Sequence, residues 1–310
     1  KRYKLWRPMK KILILLFSLQ LLSCASEGGD DWDEPLNYKL LSYLASEALD
    51  WTESFPAFKI TQNLYGVGTY DLGVFLLTSD QGHILINTGV EGSYHQIKEN
   101  IESLGFKLDD VKILLTMQAH WDHVAEFARI KKLTSAEVWA TEKDALLLED
   151  GGLSDPHLGG EDGLLFRSVK VDKIIRHGDY ITLGDIKLEV HEHPGHTIGS
   201  SSYSMVVNEQ GRTFDVVIVN MGTINPGKAL INEPTYEGID EDFSNTFEKQ
   251  KNLKADIWVS AHAGFYGLHD KYKPGQTYSI ETFYDPEGYQ DAVKKYETKY
   301  KNQRRDELGL

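Results

Sequence analysis

The densest run of ligand-type side chains is Gln118-Ala119-His120-Trp121-Asp122-His123. His120 and His123 offer neutral imidazoles and Asp122 offers an oxygen, a set that suits a borderline cation such as Zn²⁺. Two further histidines stand in comparable contexts, His196 in His193-Pro194-Gly195-His196-Thr197 and His262 in Ser260-Ala261-His262-Ala263-Gly264. Each follows a β-type run. Side chains at a strand end are exposed at the sheet edge, where loops carry function. Three strand ends bearing such groups point to one metal centre and to hydrolysis, because a bound cation brings the pKa of water towards neutrality. A histidine alone is ordinarily a surface or satisfied polar residue, and His83, His95, His177 and His269 read that way. His191 and His193 read as groups supporting a ligand or as plain strand residues. No Gly-rich phosphate loop is present, and Gly199-Ser200-Ser201-Ser202 is not a Gly-x-Ser-x-Gly elbow.

The elements that must position these groups follow from periodicity. Runs 75–78 and 83–86 flank Ser79-Asp80-Gln81-Gly82 and predict a hairpin. Ile97, Ile101 and Leu104 share one face of a helix over 93–104 that stops at Gly105. The apolar strand 111–116 leads directly into the His cluster, and a helix is expected over 124–133. A short strand over 138–140 precedes Thr141-Glu142-Lys143-Asp144, which resembles a capping box. The second half repeats the plan. Strands are expected over 169–175, 181–183 and 186–191, and 201–207 pairs with 214–220 across Asn208-Glu209-Gln210-Gly211. A helix over 241–253, a strand over 257–260 and a last helix over 286–301 complete the chain. Tyr289, Val293, Tyr296 and Tyr300 form one apolar stripe on that last helix, which reads as core packing. Two halves of strands and helices imply an α/β fold with sheets inside and helices on the outer faces.

Bulk composition narrows the function. The 310 residues are 41% hydrophobic and 26% charged, as in ordinary globular proteins. With 33 Lys plus Arg against 47 Asp plus Glu, the net charge is −14, which repels phosphate backbones and excludes nucleic acid as a partner. Eleven His and one Cys mean that a zinc site must use His, Asp or Glu ligands. The N-terminus has the form of an export signal over 1–23: a basic start, an apolar core over 12–22 too short to span a bilayer, then Leu21-Leu22-Ser23-Cys24. That tetrapeptide resembles a bacterial lipobox, which implies cleavage before Cys24 and its acylation; an ordinary signal peptide with an incidental Cys is the alternative. Residues 24–50 are expected to be a tether, acidic over 27–34, and 51–310 a single catalytic domain. The expected location is periplasmic or outer-membrane-anchored in a Gram-negative bacterium, with membrane contact only through the lipid on Cys24, and the protein is expected to be a monomer.

Taken together, the strand-ending His-x-Asp-His, the Gly178-to-Gly184 turn, the Pro-Gly-His-Thr and the final strand-His resemble the metallo-β-lactamase superfamily from about residue 58 to the C-terminal helix. Gly151-Gly152-Leu153-Ser154-Asp155-Pro156-His157, the 260–269 segment and Tyr284-Asp285-Pro286-Glu287-Gly288-Tyr289 are similar to subclass B3. Gln118, where that subclass usually has His, and Met221, where most members have Ser, resemble its GOB-type members.

The resemblance implies the αβ/βα sandwich of that superfamily and one or two Zn²⁺ per chain. One site would use Gln118, His120 and His196, the other Asp122, His123 and His262. A metal-bound hydroxide, oriented by Asp122, would open the β-lactam ring of penicillins, cephalosporins or carbapenems and confer resistance. Thr223 and Met221 would lie in the substrate-binding loop; Met221 cannot donate a hydrogen bond. The rival readings are a lactonase or thioesterase of the same fold, and a non-catalytic, lipid-anchored metal- or ligand-binding protein. Three departures from the family pattern carry expectations. Gln118, a neutral amide, should make its site the weaker one. Val124-Ala125-Glu126, where relatives often have a Gly pair, implies a slightly altered turn and places Glu126 near the site. Asn87, where many relatives have Asp, puts a hydrogen-bond acceptor behind the site in doubt.

Overall fold

Residues 36–160 and 162–310 are described in the computed structural model. The expected export signal over 1–23, the acylated Cys24 and the tether up to residue 35 lie outside them. The first half runs α1 (Tyr38–Glu47), β1 (Phe58–Lys59), β2 (Leu64–Gly66), β3 (Phe75–Ser79), β4 (Gly82–Ile86), α2 (Tyr94–Ser103), β5 (Val111–Leu115), α3 (Trp121–Val124), α4 (Phe127–Thr134), β6 (Glu137–Thr141), α5 (Glu142–Asp150) and β7 (Lys173–Ile175). The second half runs β8 (Tyr180–Leu183), β9 (Ile186–Glu192), β10 (Ser201–Glu209), β11 (Arg212–Val219), α6 (Ile239–Asn252), β12 (Ile257–Ser260), α7 (Ala263–Tyr266), α8 (Leu268–Lys271) and α9 (Pro286–Glu307).

Strands β1 to β7 make one sheet in chain order, antiparallel as far as β4 and parallel from β4 to β7. Strands β8 to β12 make a second sheet, also in chain order, with only β11 and β12 parallel. The α/β sandwich expected from the two similar halves is therefore present. Its cause is visible in β4, where every residue is buried. Ile84 and Ile86 join Phe75, Leu77, Ile113 and Leu115 against the second sheet's Leu188, Val190 and Tyr203. Leu85 points the other way, with Leu76 and Leu114, onto Ile97 and Ile101 of α2 and Phe127 and Ile130 of α4. A strand covered on both faces reads as a continuous apolar run, which is how β4 and β5 appear in the sequence.

The expected tyrosine stripe is buried, and it packs α9 onto β12 and α6: Tyr289 lies 5.8 Å from Trp258 and Tyr300 5.9 Å from Phe243, ring to ring. Asp285 accepts from the Gly288 N–H at 3.0 Å and Pro286 opens the helix, so its start is capped as such helices usually are.

Three expectations need correction. The helix expected over 124–133 is two pieces, because the chain turns at Ala125-Glu126 between α3 and α4. Of the strand expected over 169–175, only β7 pairs. The tether does not extend to residue 50: Leu36 bridges to Leu164, and Leu36 and Leu41 are buried in the helix-side core, so α1 belongs to the folded body.

Candidate metal centre

The ends of β5, β9 and β12, together with the loop after β11, bring the separated groups to one edge of the sandwich. His120 is extended and precedes the single turn of α3, which carries Asp122 and His123; His262 holds the same position before α7. Asp122 Oδ2 lies 3.1 Å from His123 Nε2 and 3.5 Å from His262 Nε2, and these three residues are close enough to hold one ion. His120 Nδ1 and His196 Nε2 face each other at 3.1 Å, with Gln118 buried two residues before His120.

Three of the candidate histidines have protein groups behind their rings. His262 Nδ1 lies 2.7 Å from Asp71 Oδ2, which also accepts from the Trp51 indole N–H at 3.1 Å. His196 Nδ1 lies 2.9 Å from the Thr223 carbonyl and 2.8 Å from its hydroxyl. A ring that donates Nδ1–H to these oxygens presents its Nε2 lone pair to the site. Asp155 Oδ2 stands 3.2 Å from His120 Nε2, a charge contact without hydrogen-bond alignment, while its Oδ1 accepts the N–H groups of His157 and Leu158 at 2.8 and 2.7 Å.

Protonation follows from these surroundings. Burial would raise Asp122, but His123 and His262 outweigh it and hold the carboxyl well below its ordinary range. Asp155 is held down likewise, by His120 and the two N–H groups against burial. Burial lowers His123 and, more strongly, His196, which leaves both neutral as metal ligands must be. His262 is the exception: against burial, Asp122 and Asp71 push it up to about 9.

Whether these residues fit a cation is decided by their buried polar atoms. Gln118 Oε1 and both ring nitrogens of His123 are buried with no hydrogen-bond partner. Leaving such an atom unsatisfied costs roughly 1–3 kcal/mol. Atoms with lone pairs, left unpaired beside an ionised carboxylate and neutral imidazoles, fit a divalent cation.

The sequence alone had not singled out four groups that hold this site. Asp71 and Asp155 are two of them. Asp144 is the third. Thr141 accepts from its N–H at 3.4 Å as a cap should, but its carboxylate reaches away to the Ala119 N–H at 2.9 Å, the Gly199 N–H at 3.0 Å and the Thr197 hydroxyl at 3.1 Å. It thereby ties the His120 loop to the His196 loop; burial pushes it up to about 6, against those donors. Lys228 is the fourth, a buried ammonium that donates to the His196 carbonyl, with its pKa brought down to about 8 chiefly by burial. The capping pattern at Asp144 and the 151–157 segment that contains Asp155 were usable signals; Asp71 and Lys228 contact residues far away in sequence.

Several expected roles change. Thr223 is at the site, but its hydroxyl is engaged with His196. Met221 is fully buried in the inter-sheet core, and its carbonyl accepts from the Thr223 N–H at 2.7 Å; it packs beneath the loop, which is not the expected substrate contact. Glu126 turns away to accept the Gly92 N–H at 2.6 Å. Asn87 keeps the acceptor that its amide put in doubt: Oδ1 accepts the Met117 N–H at 3.0 Å, and Nδ2 donates to the Gly73 carbonyl at 3.0 Å. His193 is buried against Ser202 and Gln250 behind the His196 loop, and His191 bonds Ser204 at 2.7 Å.

Comparison with known proteins places this geometry. The profile of the Metallo-beta-lactamase superfamily matches residues 74–262. The class B3 di-zinc metallo-β-lactamase LRA-12 from an Alaskan soil metagenome is 43% identical, with a TM-score of 0.79 over 82% of this chain and 96% of that one. The metallo-β-lactamase GOB-18 from Elizabethkingia meningoseptica is 38% identical, with a TM-score of 0.79 over 83% of this chain and 95% of that one. A curated relative, the probable metallo-hydrolase YqgX of Bacillus subtilis, is 28% identical over 137 residues, 44% of this chain and 62% of that protein's length. The chain belongs to the metallo-β-lactamase superfamily, among its class B3 members.

Proposed function

We propose that the protein is a zinc-dependent β-lactamase of the GOB type. The observation that carries the metal reading is the convergence of Asp122, His123 and His262 beside Gln118, His120 and His196, with buried ligand atoms left unpaired. The substrate class is supported by the 43% identity to a class B3 enzyme over 82% of the chain, and the subgroup by Gln118 and Met221. Gln118, His120 and His196 would hold one zinc, and Asp122, His123 and His262 the other. Bound zinc supplies a water of near-neutral pKa and polarises a carbonyl.

The chain's own groups do the rest. Asp122, ionised beside two imidazoles, accepts a hydrogen bond from the attacking water and orients it towards the lactam carbonyl. Water adds to that carbonyl, the strained C–N bond breaks, and the ring nitrogen leaves protonated as an amine. Thr223 and Lys228 hold His196 from behind, through its ring and its carbonyl. The basic and apolar N-terminal segment ending at Cys24 supports export and lipid anchoring as part of the same proposal.

The test is turnover of a penicillin, a carbapenem, a lactone and a thioester by the zinc-loaded chain. Ring opening of the β-lactams is expected. Lactone or thioester cleavage with both β-lactams untouched would replace the lactamase reading with another hydrolase of this fold.

A further inference from the structure

Three of the four histidines at the centre have a protein group outside the ligand set at one ring nitrogen: Asp71 and Thr223 bond His262 and His196, and the Asp155 carboxylate stands 3.2 Å from His120 Nε2 without hydrogen-bond alignment. His123 differs. It is wholly buried, Nε2 lies beside Asp122, and Nδ1 has no partner. A ligating histidine is ordinarily oriented by an acceptor on its other nitrogen. His123 must be oriented through its main chain instead.

The main chain of His123 is held tightly. The Thr88 N–H donates to the His123 carbonyl at 2.6 Å, and the Thr88 hydroxyl donates to the same oxygen at 3.3 Å. That hydroxyl in turn accepts from the Glu126 N–H at 3.3 Å, and the Gly89 carbonyl accepts from the Ala125 N–H at 3.2 Å. The Glu126 side chain, 3% exposed, then reaches past this segment and accepts the Gly92 N–H at 2.6 Å. Its carboxylate serves a helix start that lacks its own: Ser93 makes no side-chain capping bond, and α2 has no acidic residue in its first turn. Arg129, one turn further along α4, lies 4.1 Å over the Tyr94 ring and adds to the same junction.

We propose that Glu126, outside the ligand set, is the positioning residue for His123: its buried carboxylate fixes segment 88–94, and Thr88 in that segment holds the His123 carbonyl. The proposal rests on the metal reading above and adds to it the means by which the one unsupported imidazole is aimed. It also gives a role to the Glu that stands where relatives often have Gly.

Zinc affinity measured by competition with a chromophoric chelator tests this on the parent, His123→Ala, Glu126→Gln and Glu126→Ala, with the metal-free melting midpoint of each recorded in parallel. Glu126→Gln keeps the acceptor for Gly92 and is expected to bind within about twofold of the parent. Glu126→Ala is expected to bind the zinc that His123→Ala loses about tenfold more weakly than the parent, the scale on which outer groups move metal affinity. The cobalt-substituted protein should show an altered visible spectrum in Glu126→Ala and the parent's spectrum in Glu126→Gln. Should Glu126→Ala not fold, Thr88→Val read against Thr88→Ser reports on the same contact. Zinc affinity and cobalt spectrum equal to the parent's in Glu126→Ala, or in Thr88→Val, overturn the proposal. A parent that takes up no zinc overturns the metal reading itself, whatever the variants do.

Discussion

At His262, burial and two carboxylates act in opposite directions, and the carboxylates win, pushing the imidazole up to about 9. A folded-state pKa above the ordinary 6.5 means that protonation stabilises the metal-free fold. That contribution is complete below about pH 6.5 and is lost as pH rises through about 9. A zinc ion must displace this proton. Zinc uptake near neutral pH should therefore release a proton, and affinity should climb with pH until about 9; calorimetry in buffers of different ionisation enthalpy measures the release. Uptake with no proton released would remove His262 from the ligand set. Gln118 is the second residue with its own prediction. A neutral amide is a weaker zinc ligand than an imidazole, so Gln118→His should tighten binding at its group by about tenfold. Equal affinity in a zinc titration of the two proteins contradicts the inequality of the sites. The amide was legible as a departure from the motif; the proton on His262 was not, because Asp71 lies 191 residues away.

At the scale of elements, the strand ends that deliver the ligands were legible because β5 and β12 are mostly apolar runs and β9 alternates apolar and polar residues. The tyrosine stripe of α9 was legible because its spacing matches one helix face. The break between α3 and α4 was not. Val124-Ala125-Glu126 implied only an altered turn there, and the break itself is imposed by the contacts of Ala125 and Glu126 with segment 88–92. Asp144 shows the same limit. Its capping pattern is local, but its carboxylate partners Ala119 and Gly199 lie 25 and 55 residues away. Asp144→Ala would leave the N–H groups of Ala119 and Gly199 buried and unpaired and uncouple the His120 and His196 loops. A loss of about 3 kcal/mol is expected, read as a lower urea midpoint with an unchanged slope. An unchanged midpoint would show that the two loops hold their places without it.

Across the described residues, the two sheets form a sandwich whose helices cover the outer faces, and the chemistry sits along one edge where loops from both sheets meet. The sequence reading of this plan erred mainly at the N-terminus. Composition suggested a tether through residue 50, yet Leu36 and Leu41 are buried in the body. Trp51 adds an indole N–H to the carboxylate that supports His262. The folded body therefore includes the first helix, and Trp51 just after it reaches the metal centre. The central claim, a zinc-dependent β-lactamase, is tested most directly by titrating zinc into the metal-free chain and following penicillin opening in the same samples. Turnover should be absent without metal, rise with bound zinc, and vanish again on chelation. Zinc taken up by these residues with no ring opening at any loading, or ring opening indifferent to the metal, would contradict the account.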